Sequence, residues 1–205
     1  MRTYIFVPGI FALLCCAAPA FASSVSVCDG APGNLVQNCG FETGNFSSWT
    51  VLNDDGNTNV ERNSFSPPGV NSGVFFAALG NETTTPTIIE QTFADAAGST
   101  LTFSFYLAAD GASNDFTAAF DGQTLLALPD ASAQGYTQYS YTVTGTGSDT
   151  IAFGIGDAAG FDGLDDVVVA QPQLQAAPEP SSLSLAAAAI GLIALAHRRR
   201  AKKIG

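Results

Sequence analysis

The chain has 205 residues, with 7 Lys and Arg against 18 Asp and Glu, for a formal net charge of −11. That length holds one domain of ordinary size plus processing segments. A charged fraction of 12%, against roughly 25% in an average soluble protein, excludes a charge-rich disordered chain. The charges are also unevenly placed. Six of the seven basic residues, Arg2, Arg198, Arg199, Arg200, Lys202 and Lys203, lie at the two ends. From Ser23 to Ala177 there is one basic residue, Arg62, against 17 acidic ones, a net −16. Nucleic acid is excluded as a partner, because phosphate contacts need clustered Lys and Arg on the folded face. The same stretch has no His, no Lys and two Cys, so Ser-His-Asp, Cys-His and Schiff-base catalysis have no machinery.

In chain order, residues 1–22 read as a secretory signal peptide. Arg2 supplies the positive start, Ile5 to Ala18 is apolar apart from Pro8 and Gly9, and Ala20-Phe21-Ala22 gives a small-x-small cleavage pattern. Cys28 and Cys39 then form an even pair in an exported chain, where a disulfide is the default. Their spacing fails a CxxC redox or zinc reading, and no His completes a zinc site.

Strand signals follow, with turn chemistry between them. Thr100 to Leu107 is the clearest, with Leu101, Phe103, Phe105 and Leu107 on one face and Thr102, Ser104 and Tyr106 on the other. Tyr139, Tyr141 and Val143 alternate in the same way, as do Ile151, Phe153 and Ile155, and less cleanly Ile89, Gln91 and Phe93. Gly73 to Leu79, Phe116 to Phe120, Thr124 to Leu128 and Leu164 to Val169 are further candidates. Asp55-Gly56, between Trp49–Leu52 and Thr58–Glu61, predicts a hairpin. No central segment has a helical period. The expectation is an all-β fold, an antiparallel β-sandwich or jelly roll of about 8–10 strands over residues 23–170, with a linker at 171–177.

The end of the chain, 178–205, has three parts. Pro178-Glu179-Pro180 makes a stiff, extended break. Leu183 to Ala196 is 14 residues without a charge, and Pro180 to Ala196 gives 17, near the lower limit for a membrane-spanning helix. A basic cluster from His197 to Lys203 closes it and would stay cytoplasmic, leaving the acidic domain outside. Motif, helix and basic cluster in this order resemble the PEP-CTERM sorting signal of Gram-negative bacteria. The resemblance implies an exosortase as partner, reading Pro178, Glu179 and Pro180 with Arg198, Arg199 and Arg200. It also implies transient anchoring in the inner membrane and delivery to the cell surface or an exopolysaccharide matrix.

The domain opens with Asn34-Leu35-Val36-Gln37-Asn38-Cys39-Gly40-Phe41-Glu42-Thr43-Gly44, followed by Trp49, and closes with Leu164-Asp165-Asp166-Val167. This pairing resembles the galactose-binding-like jelly rolls, which include many carbohydrate-binding modules. The resemblance implies a structural calcium joining the first and last strands, with Glu42 and either Asp165 or Asp166 as ligands. An acidic pair at a solvent-facing strand edge is the alternative. Oxygen donors suit calcium, and the acidity favours cations generally. Asn53 to Asn59 looks superficially like a calcium loop but lacks EF-hand spacing.

Sugar binding needs aromatic platforms. The candidates are Tyr106, on the outer face of its strand, and Trp49, which its position places more readily in the core. Related jelly rolls often carry an aromatic immediately before the Leu-Asp-Asp element, where this chain has Asp162-Gly163 after Phe161. Carboxylate glycoside hydrolysis stays formally open, with Asp54, Asp55, Asp110, Asp115, Asp162, Asp165 and Asp166 as candidates, although turns favour Asp for its own hydrogen bonds. The reading is a non-enzymatic surface or matrix protein, structural or adhesive in the exopolysaccharide or biofilm layer, with a carbohydrate-binding module as the alternative.

Overall fold

The computed structural model describes residues 25–62, 69–111, 114–157 and 160–172. The leader, the sorting motif and its basic cluster lie outside the described residues. A short 3-10 turn, Val27–Gly30, comes first. Ten strands follow among the described residues: β1 (Thr50–Leu52), β2 (Asn59–Arg62), β3 (Phe75–Leu79), β4 (Thr87–Ala94), β5 (Thr100–Ala109), β6 (Asn114–Phe120), β7 (Gln123–Pro129), β8 (Gln134–Thr144), β9 (Ser148–Asp157) and β10 (Asp162–Ala170). They form two five-stranded antiparallel sheets, in the orders β1-β4-β9-β6-β7 and β2-β3-β10-β5-β8. The fold is therefore an all-β sandwich, as the alternation predicts. Only β2–β3 and β6–β7 join neighbours in one sheet; every other connection crosses between sheets.

The period of two decides what goes inside. Leu101, Phe103, Phe105 and Leu107 of β5 face Phe116, Ala118 and Phe120 of β6, and Ile151, Phe153 and Ile155 of β9, in one core. Phe153 sits at its centre, edge-on to Phe105 at 5.0 Å and within 5.9 Å of Phe103 and Phe116. This core runs from Cys28 to Val169, so residues 23–172 hold a core of their own, which is what a unit that folds alone requires. The expected disulfide is present, with Cys28 and Cys39 joined and both buried.

The hairpin expected at Asp55-Gly56 does not form, because β1 and β2 belong to different sheets. The turn is built to span the sandwich instead. Asp54 Oδ1 accepts the N–H groups of Gly56 and Thr58, at 3.0 and 3.3 Å. Asp55 Oδ2 accepts the N–H of Glu82 at 2.7 Å, the main cause that holds its carboxyl below the usual range. The true two-residue hairpin is Asp121-Gly122, between β6 and β7, with φ of +49° and +75°. Two successive positive φ values are what a type I′ turn requires.

Phe153→Ala should lower stability by about 3–5 kcal/mol, because it opens a cavity between four other rings. Urea denaturation of residues 23–172 measures the loss.

Candidate functional site

β10 is the middle strand of its sheet and is buried along almost its whole length. Its pairing with β5 shifts between Asp165 and Val168, and Asp166 there has a φ of +50°. This is a β-bulge, which re-aims side chains that a regular strand would alternate. It places two adjacent carboxylates in the interior, with Asp165 and Asp166 at 0% and 2% exposure.

The chain segments around the bulge supply the hydrogen bonds. Asp165 Oδ2 accepts the backbone N–H groups of Asn71 and Ser72, at 2.9 and 3.2 Å, and its Oδ1 accepts the N–H of Asp166 at 2.7 Å. Asp166 Oδ1 accepts the Cys28 N–H at 3.1 Å and the Ser26 hydroxyl. Its Oδ2 accepts Asn71 Nδ2 and the Ser72 hydroxyl, both at 2.7 Å. Ser72 Oγ in turn accepts the Val27 N–H at 2.8 Å. Glu42 binds the next part of the same loop, with Oε1 accepting the N–H groups of Val74 and Phe75 at 2.9 and 3.1 Å. Gly73 takes φ +68°, where other residues are strained, and a Cβ there would displace the Glu42 carboxylate, whose Oε1 it would meet at 2.1 Å.

The opening segment completes the arrangement. β3 pairs with β10 only over Asp162 to Leu164. Beyond that, Leu35 N–H donates to the Val169 carbonyl at 2.8 Å, Val169 N–H to Asn34 Oδ1 at 3.0 Å, and Val167 N–H to the Cys39 carbonyl at 2.9 Å. Inward-facing Gln91 ties the same segment to the other sheet through Gln37, at 2.7 and 2.9 Å. Phe41, at φ +59° and fully buried, lies against Trp49 at 5.5 Å and Phe46 at 5.9 Å. Packing from both sides holds a bulky residue in a backbone region it rarely adopts.

Burial first, and then the charge of Asp166, push the Asp165 carboxyl up to about 8. Tyr136, whose hydroxyl donates to the Gly69 carbonyl at 2.7 Å, is pushed up by burial and by both aspartates. Among the described residues no basic side chain relieves the pair, for Arg62 lies over the Phe75 ring at 5.4 Å.

Glu42, Asp165 and Asp166 thus meet one loop, residues 71–75, but their oxygens do not gather within 4.8 Å of one another. As they stand they accept N–H and O–H donors from that loop and from the amino-terminal turn. The one closer group among the described residues is Cys28, Asp29 and Cys39, and its sulfurs are taken by the disulfide. The sequence did not single out Ser26, Asn71 and Ser72. Their only signal is that small polar residues supply donors where Lys and Arg are missing.

The other candidates separate. Trp49 is buried, its Nε1 donates to the Asn38 carbonyl at 3.2 Å, and its rings lie against Phe41 and Phe153; it is a core residue and offers no open face to a sugar. Tyr106 is half-buried on the outer face of β5, in register with Asp165 on one side and Gln138 on the other. Among the described residues, the rings of the β1-β4-β9-β6-β7 sheet are Phe93, Phe116, Phe120 and Phe153, and all belong to the core. Asp54 and Asp55 hold their turn, exposed Asp115 accepts the Asp130 N–H at 3.2 Å, and Asp165 and Asp166 are closed off from any substrate.

No protein-family model matches the chain, and no curated protein matches it. Solved structures do. The carbohydrate-binding module TmCBM61, determined in complex with β-1,4-galactotriose, aligns over 68% of this chain and 99% of its own, with 18% identity and a TM-score of 0.52. The enzymatically active domain of tailspike protein 4 of bacteriophage CBA120 aligns over 67% of this chain but 21% of its own, with 16% identity and a TM-score of 0.50. The K1 cleaved adhesin domain of Lys-gingipain from Porphyromonas gingivalis aligns over 65% and 96%, with 16% identity and a TM-score of 0.49.

The raised Asp165 makes stability depend on pH. Its folded value lies above the ~3.9 of an unfolded Asp, so its contribution is complete below that value and is lost as pH rises towards 8. Urea midpoints of residues 23–172 should fall between pH 5 and about pH 8, and Asp165→Asn should flatten that slope. At these identities the likeness to known structures is one of fold, an antiparallel β-sandwich of the kind found in carbohydrate-binding modules.

Proposed function

We propose that the chain is an exported, non-catalytic module that binds neutral polysaccharide in the extracellular matrix. The carrying observation is that the described sandwich corresponds to 99% of a carbohydrate-binding module determined with a galactotriose bound. The chemistry agrees with it. The span from Ser23 to Ala177 has no His and no Lys, and its two cysteines are joined, so the common nucleophilic mechanisms have no residues to run on. A disulfide suits an oxidising compartment. A formal net charge of −16 from Ser23 to Ala177 disfavours acidic polymers, which favours neutral glycans.

Tyr106 is the platform in this reading, a half-buried ring on the outer face of β5 beside Gln138. An amphipathic ring can stack on a sugar while a neighbouring amide donates and accepts. Export and sorting rest on the ends of the chain, on the leader and on the resemblance of the Pro178-Glu179-Pro180 motif, its apolar stretch and its basic cluster to a PEP-CTERM signal. No helix among the described residues is long and apolar enough to cross a membrane.

Residues 23–172 should bind one or more neutral glycans on an array, and Tyr106→Ala should weaken the best of these several-fold. No binding to any neutral glycan would remove the module reading. Mass spectrometry of the protein from its host should find the tail beyond Pro180 missing. A mature protein intact through Gly205 would make the tail a plain anchor.

A further inference from the structure

The acids at the β10 bulge meet the 71–72 loop, and a different acid at the start of the same strand lies between the two sheets. Asp162 opens β10 and Asn114 opens β6, one from each sheet. Each is on the inward phase of its strand, two residues before the core residues Leu164 and Phe116. Both are closed off from solvent, at 0% and 1% exposure. Asn114 Nδ2 donates to Asp162 Oδ1 at 2.7 Å, which spans the gap between the sheets.

That bond fixes which way the amide points, because a carboxylate only accepts. It leaves Asn114 Oδ1 buried, beside the carboxylate, with no hydrogen-bond partner. A buried amide oxygen without a donor is costly and needs a cause, an ion or a water being the usual ones. A second carboxylate stands at the approach to the strand. Asp110 Oδ2 accepts the Phe161 N–H at 3.0 Å, and a Cβ on Gly160 would fall 1.5 Å from it.

A cation is what such a place selects. It satisfies an orphan acceptor and a carboxylate together, which no N–H donor can do without adding a buried polar group of its own. The ligand atoms are hard oxygens with no imidazole or thiolate among them, so the class is calcium or magnesium and not zinc or copper. An amide and a carboxylate reaching from two sheets do not make the tight octahedron that magnesium demands, which favours calcium. We propose that Asn114 Oδ1 and the Asp162 carboxylate bind a calcium-class divalent cation between the two sheets, at the loop end of the sandwich. The ion would cross-link β6 to β10, independently of glycan binding and of the bulge acids.

Calorimetric titration of calcium chloride into chelator-treated residues 23–172, with melting temperature as a second readout, tests this. One equivalent should bind and raise the melting temperature, and magnesium should do less. Asp162→Asn should weaken binding on the order of tenfold, since affinity follows ligand charge. Asn114→Asp keeps an oxygen and adds a charge, so it should bind calcium more tightly and depend on it more for folding; it decides the matter if Asp162→Asn does not fold. Glu42→Gln should leave the affinity unchanged. No heat and no melting shift in the parent would mean that water fills the space, and the proposal fails. It fails equally if Asn114→Asp leaves the affinity unchanged, or if Glu42→Gln abolishes binding.

Discussion

A shortage of positive charge governs this domain. Seventeen carboxylates share one guanidinium between Ser23 and Ala177, so an acid that leaves the surface must be met by backbone N–H groups and small hydroxyl or amide side chains. The bulge in β10 is where this weighs most. Asp165 and Asp166 take donors from Ser26, Cys28, Asn71 and Ser72, four residues remote from them in the chain. The carboxylates thereby act as the hub that fastens the amino-terminal turn and the loop before β3 to the central strand of a sheet. A buried carboxylate is tolerable only while such donors are in place, so the hub and its donors depend on each other.

The disulfide and the opening segment make the same connection by other means. Cys39 is bonded to Cys28 and its carbonyl accepts from Val167, so one short stretch is held covalently at one end and by strand-like hydrogen bonds to β10. Glu42, three residues on, grips the loop whose earlier members serve Asp165 and Asp166. Gly40 explains why this opening is so specific in composition. A Cβ there would come within 2.1 Å of Ser26 Oγ, so the donor to Asp166 and the glycine behind it are fitted as a unit. Closure of the sandwich and neutralisation of its buried acids are thus one structural problem with one solution.

Asp-Gly pairs show how far local signals reach. Asp121-Gly122 closes a two-residue hairpin, while Asp55-Gly56 sits in a turn that crosses between sheets. Both offer the same backbone freedom. What separates them is the partner each flanking strand finds: β6 pairs with β7 next to it, whereas β1 pairs with β4 and β2 with β3. Gly73 makes a similar point: the sequence pattern starts a strand there, but β3 begins at Phe75, the N–H groups of Val74 and Phe75 being taken by Glu42.

By itself the sequence determined the fold class, the inward faces of β4, β5, β8 and β9, and the cysteine pair, because a period of two and an even thiol count are local properties that burial and an oxidising compartment read directly. It also brought the opening and closing segments together through their resemblance to a known pair. Only the tertiary structure decided the order of strands in the sheets, the burial of Trp49, and the state of each carboxylate. Asp162, Asp165 and Asp166 lie within five residues of one another, yet one faces Asn114 between the sheets and two meet the 71–72 loop. Their surroundings come from residues up to 140 positions away, and no local pattern encodes that distance.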